Sequence, residues 1–182
     1  GAVIRGLARR VGADVIHLTS PALAAGGGFA APVVGACHSC LATWWSAVKD
    51  GPMPEDFRWR SRALWRGLMS CDALIAPSAA FADATARAFE VPRPLVVHNG
   101  RRAAPPSDRP RERFVFTTGR LWDEGKNAVA LDRAAARIEA PVFAAGPLTG
   151  PDGSRLAPTA NLRLLGSLDP PAVRGWLDRA RV

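Results

Sequence analysis

Arg120 and Lys126 lie six residues apart in the stretch Gly119-Arg120-Leu121-Trp122-Asp123-Glu124-Gly125-Lys126, and together they could neutralise a diphosphate. Of the 24 basic residues only Lys49 and Lys126 are lysines, so a lysine at this place is a choice of chemistry rather than of charge alone. A guanidinium grips paired oxygens as a fork, whereas an ammonium acts as a compact point charge on a flexible stem. Gly119 beside them would let the backbone approach an anion closely. The competing reading is a solvated loop in which Asp123 and Glu124 pair with the two cations, since surface ion pairs are common and contribute little.

The elements around this loop give it a position. Arg113 to Thr118 alternates and is rich in Phe, Val and Thr, as a strand requires, while Asn127 to Ile138 is Ala-rich with apolar residues at helical spacing. A loop leaving a strand and opening a helix is where α/β proteins hold ligands, helped by the free N–H groups of the helix start. Further strands are expected at 14–18, 32–36, 73–76, 95–98, 141–145 and 162–165. Helices are expected at 41–48, 55–70, 79–89 and 170–180, the last opened by an Asp169 cap followed by Pro170 and Pro171. This alternation predicts parallel sheets covered on both faces. The polar, proline-bearing segment 101–111 divides the chain into an N-terminal α/β domain, 1–100, and a C-terminal one, 112–182.

Composition narrows the function classes. With 182 residues and 48% hydrophobic content the chain can build real cores. The net charge of +8 suits an anionic ligand, yet the arginines are scattered, and no helix-turn-helix, zinc-finger or RNA-binding aromatic motif accompanies them, so nucleic acid is not expected as a partner. No apolar run is long enough to span a bilayer, and Arg5, Arg9 and Arg10 interrupt the first residues, which points to the cytoplasm. Cys37, Cys40 and Cys71 have no framework spacing, and free thiols are expected. The first residue is Gly and the last helix stops at Val182, so an internal fragment of a longer chain is expected.

The order of motifs resembles the retaining, GT-B-fold glycosyltransferases of the family 4 type, from about Ala13 to Val182. The match is carried by Asp14-Val15-Ile16-His17, by Pro32-Val33-Val34 ending in His38, by Cys71 to Ser78, by Val96-Val97-His98-Asn99-Gly100, by Gly119 to Lys126, and by Leu164 to Leu168. The resemblance implies two Rossmann-like domains, both incomplete here, and transfer of a sugar from a nucleotide-sugar donor to an acceptor with retention of configuration. The acceptor, whether carbohydrate, lipid or small molecule, is not identified by it. It implies that Gly119, Arg120 and Lys126 bind the donor diphosphate in place of a metal, so that neither metal nor cofactor is required. It also implies that His38 is catalytic, near the reacting sugar or acceptor, and that backbone at Leu168 meets the nucleotide base. His17 and His98 are expected to be structural.

Departures accompany the likeness. The family's Glu-x7-Glu pair has no counterpart, because no glutamate follows Glu139, and the glycine-rich loop after the first strand is missing; Gly26 to Gly28 lies later and does not replace it. The fragment is therefore expected to be inactive alone. A non-catalytic module that holds a nucleotide or phosphosugar is the alternative function. Two other features stand apart from the motif order. Cys37-His38-Ser39-Cys40 has C-x-x-C spacing but no second ligand pair, so reduced, partly buried thiols are expected instead of zinc. The helix at 55–70 places Arg58, Arg62 and Arg66 on one face with Trp59 and Trp65 nearby, which suits either a solvated face or peripheral contact with an anionic membrane.

Overall fold

The structure, a computed structural model, describes residues 1–182 except 102, 104, 106 and 107, so those four positions of the expected linker 101–111 lie outside the described residues. The chain divides into two compact units, Gly1–Arg102 and Ala103–Val182. The first contains α1 (Ala2–Val11), β1 (Ile16–Leu18), β2 (Val33–Ala36), α2 (Leu41–Val48), α3 (Glu55–Met69), β3 (Ala73–Ala76), α4 (Ala79–Phe89) and β4 (Leu95–Val96). Its four strands pair in parallel in the order β1-β2-β3-β4.

Buried Val33 and Ala36, each 1% exposed, make β2 the core of this sheet. Fully burying a side chain such as Val33 contributes roughly 1.5–3 kcal/mol. Asp72 ties the strand entries together: its carboxylate accepts the Val33 N–H at 2.7 Å, and its own N–H donates to the Val33 carbonyl at 2.9 Å. Helix α1 was not among the expected elements. It forms because Ile4 and Ala8 recur at helical spacing against Ile16, Leu18 and Val33, and because Gly12 closes it in the left-handed region at φ 63°. A short 3-10 helix, Pro21–Ala24, crosses α3 at Gly67, where a Cβ would stand 1.9 Å from the Pro21 carbonyl oxygen.

The second unit holds β5 (Val115–Thr118), α5 (Ala128–Ala135), β6 (Val142–Ala145), β7 (Leu162–Gly166) and α6 (Pro170–Arg179), with the strands parallel in the order β5-β6-β7. Alternation along β6 splits its side chains between two cores. Val142 and Ala144 pack with Leu121, Ala128 and Leu162, while Phe143 and Ala145 face Phe114, Phe116 and Trp176. Trp176 on α6 stacks on Phe116 at 5.6 Å and 14° and meets Phe114 edge-on at 5.3 Å, which fixes that helix to the sheet. Asp169 caps α6 by accepting the Ala172 N–H at 2.7 Å, with prolines following it where no N–H is needed.

Both units are thus α/β with wholly parallel sheets, the fold class expected. Element ends differ by local chemistry. The strand expected at 95–98 stops at Val96, and beyond it His98 Nδ1 lies 3.0 Å from the Pro77 carbonyl oxygen. The helix expected at 127–138 begins after Asn127, which sits in the left-handed region at φ 49° and caps it through the Ala130 N–H.

Candidate functional site

The carboxyl ends of β5, β6 and β7 form a ledge built from backbone. Gly119 N–H donates to the Ala145 carbonyl at 3.0 Å, Leu121 N–H to Pro147 at 3.1 Å, and Gly146 N–H to Gly166 at 2.7 Å. Gly146 has φ 143° and Gly166 φ 67°, conformations that L side chains rarely adopt. A Cβ on Gly146 would stand 1.7 Å from the Gly119 carbonyl oxygen, so the β5 and β6 exits press together with no room for a side chain.

Three expected site residues lie at this ledge, and two of them, Gly119 and Lys126, are in contact. A Cβ on Gly119 would lie 3.8 Å from Cδ of Lys126, so the lysine stem runs across the open face of that glycine. Arg120 Nη2 pairs with Asp123 Oδ2 at 2.7 Å, and its guanidinium lies 5.5 Å from the centre of the Trp122 ring. Asp123 is the hub of the turn, since its other oxygen accepts the Gly125 N–H at 2.9 Å and caps the short 3-10 helix Glu124–Lys126. Asp123 is 11% exposed and the Arg120 side chain 61%. The acid thus anchors a cation that stays largely exposed, and the Arg120–Asp123 pair of the solvated-loop reading is present.

Leu168 follows β7 and packs half-buried against the aromatic core of Phe114 and Phe116. Its side chain is thus committed inward, which leaves backbone as the part it can offer a ligand. His38 belongs to the other unit, exposed two residues past the end of β2 and before α2. His17 is exposed on β1. Ser78 marks the end of β3 and caps α4 by accepting the Phe81 N–H at 3.2 Å. On α3, Arg58 and Arg62 turn back to Glu55 at 2.9 and 3.4 Å, while Trp59 and Trp65 stand exposed.

The three cysteines are free. Cys40 is the cap of α2: its sulfur accepts the Thr43 N–H at 3.4 Å and lies 3.0 Å from the Thr43 hydroxyl. A hydrogen bond from Cys37, followed by those from Thr43, pulls the Cys40 thiol down to about 6 against the opposing effect of burial. Cys37 is pushed up, first by that same bond and then by burial. Burial and the neighbouring Asp72 charge raise Cys71 as well. Among the described residues no three His, Cys, Asp or Glu side chains gather as a metal site would require.

Sequence reasoning missed Gly146 and the double role of Asp123. Gly146 was legible as a glycine closing the small-residue strand Ala144-Ala145, but its contact with Gly119 is remote in sequence. Among the described residues no helix is long and apolar enough to cross a membrane.

The profile described as Glycosyltransferase Family 4 matches residues 2–103. No curated protein matches. Among solved structures, one titled "Crystal Structure of TarM" aligns with a TM-score of 0.52 at 13% identity, over 82% of this chain and 30% of that one. At such identity the likeness is one of fold, and the chain spans about three tenths of that protein's length.

Proposed function

The chain belongs to Glycosyltransferase Family 4, and from that premise we propose that it serves in transferring a sugar from a nucleotide-sugar donor to an acceptor with retention of configuration. The observation that carries this reading is the ledge where the Lys126 stem crosses Gly119 and Asp123 steadies Arg120. A diphosphate resting there would meet a fork and a point charge, with backbone close enough to exclude water between them. Negative charge grows on the leaving diphosphate as the glycosidic bond breaks, so fixed cations stabilise the transition state more than the ground state. In this reading the two cations do the work of a metal, and neither metal nor cofactor takes part.

His38, exposed at the end of β2, would hydrogen-bond the reacting sugar or the acceptor through its imidazole. Backbone at Leu168 would border the nucleotide base. The acceptor is a carbohydrate, lipid or small molecule. For a lipid acceptor, exposed Trp59 and Trp65 beside Arg66 would suit the surface of an anionic bilayer, and pelleting with anionic vesicles at low salt tests that contact. The decisive experiment titrates the full-length protein with uridine, guanosine and adenosine diphosphate sugars and follows release of free nucleotide diphosphate. Binding that Arg120→Ala weakens, with turnover, supports the reading; binding without turnover under any acceptor supports a non-catalytic binding module instead.

A further inference from the structure

The Cys37-His38-Ser39-Cys40 loop joins β2 to α2, and nothing in the glycosyl-transfer reading uses its sulfurs. Both are buried in one cluster with Leu68, Phe89 and Val91, Cys37 at 1% exposure and Cys40 at 9%. Cys40 sits at the amino end of an eight-residue helix with the Thr43 N–H donating to its sulfur at 3.4 Å, while the Thr43 hydroxyl donates to its carbonyl oxygen at 3.1 Å. A helix start holds partial positive charge, and donors of this kind favour a thiolate. Cys37 neighbours the same sulfur, and of the two it is Cys40 that is pulled down and Cys37 that is pushed up.

A second, independent observation concerns Thr85 on α4. Its hydroxyl is fully buried and has no hydrogen-bond partner among the described residues, yet it lies beside Cys37. A neutral thiol is a weak acceptor, whereas a thiolate is a strong one. The hydroxyl is therefore placed to serve Cys37 only once that residue loses its proton. Cys71 offers the contrast: its thiol donates to the Gly67 carbonyl at 3.1 Å, and no second cysteine is spaced to join it.

We propose that Cys37 and Cys40 form a thiol–disulfide exchange site that takes a low-molecular-weight disulfide of the glutathione type and closes to an intramolecular disulfide. The Cys40 thiolate attacks one sulfur of the small disulfide, whose S–S bond breaks and whose other half leaves as a thiolate. Cys37 then gives up its proton to that leaving thiolate, is steadied by Thr85, and attacks the Cys40 sulfur of the mixed disulfide. The second half leaves as a thiolate and takes a proton from water, replacing the one that Cys40 had already released. The two cysteines are oxidised by two electrons in all, and the small disulfide is reduced to two thiols. His38 and Ser39 between the two cysteines are exposed, and Cys40 at 9% is the less buried sulfur, so the reagent approaches from that side. This chemistry does not rest on the glycosyl-transfer reading, although a disulfide would also re-aim the loop that carries His38.

The test equilibrates the folded protein with oxidised glutathione, alkylates the remaining thiols and maps the tryptic peptide 11–49, which contains only Cys37 and Cys40. The expected peptide refuses the alkylating agent and lacks two hydrogens. Cys37→Ser should trap a stable mixed disulfide with glutathione on Cys40. Thr85→Val should slow the second step roughly tenfold, the loss of one charge-assisted hydrogen bond, and leave the first step unchanged. The proposal is overturned if both thiols of the wild-type peptide stay alkylatable at equilibrium, if the disulfide appears only after urea unfolds the chain, or if the protein is isolated with stoichiometric zinc on these residues. The wild-type peptide decides the matter even where a variant fails to fold.

Discussion

Gly146 lies so close against Gly119 that a Cβ on it would stand 1.7 Å from the Gly119 carbonyl oxygen, and this contact sets the start of the loop that carries Arg120 and Lys126. Gly146→Ala must either push the β6 exit away from β5 or distort a backbone held at φ 143°. Overpacking of this kind costs about 1–3 kcal/mol, with backbone strain in addition. Urea denaturation is expected to show that loss, and nucleotide-sugar affinity should fall more steeply than stability does.

Arg120→Ala and Lys126→Ala are each expected to weaken nucleotide-diphosphate binding by about 1.5–3 kcal/mol, or roughly 10- to 150-fold, the scale of a charge-assisted hydrogen bond. Calorimetric titration measures it. Asp123→Asn should also weaken binding, because it loosens both the Arg120 pair and the turn, whereas a loop without a ligand would show no effect of any of the three on binding.

Two glycines in helices are expected to behave oppositely. Gly175 on α6 has nothing within 4 Å of an added Cβ, so Gly175→Ala should stabilise the protein by about 0.5–1 kcal/mol through helix propensity. Gly67 on α3 meets the Pro21 carbonyl, and Gly67→Ala should destabilise by about 1–3 kcal/mol as the 3-10 helix is forced off. Thermal melts of the two variants beside the wild type would show the opposite signs.

Asp132 joins α5 to the entry of β7 by accepting the N–H groups of Ala160, Asn161 and Leu162 at 3.1, 2.8 and 3.1 Å. The Asn161 N–H, first among these, holds its carboxyl below the usual 3.8. The folded value lies below the unfolded one, so the stabilisation is present above about pH 4 and is lost as the pH falls through the depressed folded value. Asp132→Asn should lower the melting temperature at pH 7, and the gap from the wild type should narrow under acid conditions.

Cys40 should alkylate as a thiolate from about pH 6 upward, rather than near the 9.0 of an unperturbed thiol. Measuring iodoacetamide rates on peptide 11–49 against pH checks this, with Cys71 as the slow internal reference.

The residue pattern by itself determined the α/β class, the alternation of elements and the place of the Gly119 to Lys126 loop, because short-range periodicity and caps such as Asp169 and Ser78 act over a few residues. The pairing of Arg120 with Asp123 was weighed from spacing alone for the same reason. Helix α1 was missed although its Ile4 and Ala8 spacing was present, since only packing on β1 and β2 makes a ten-residue basic segment helical. Tertiary structure alone decided the contact of Gly146 with Gly119, the grip of Asp132 on the start of β7, and the burial of Thr85 beside Cys37. Each joins residues far apart in the chain, and only parallel strand register and helix packing, which are properties of the whole sheet, bring them together.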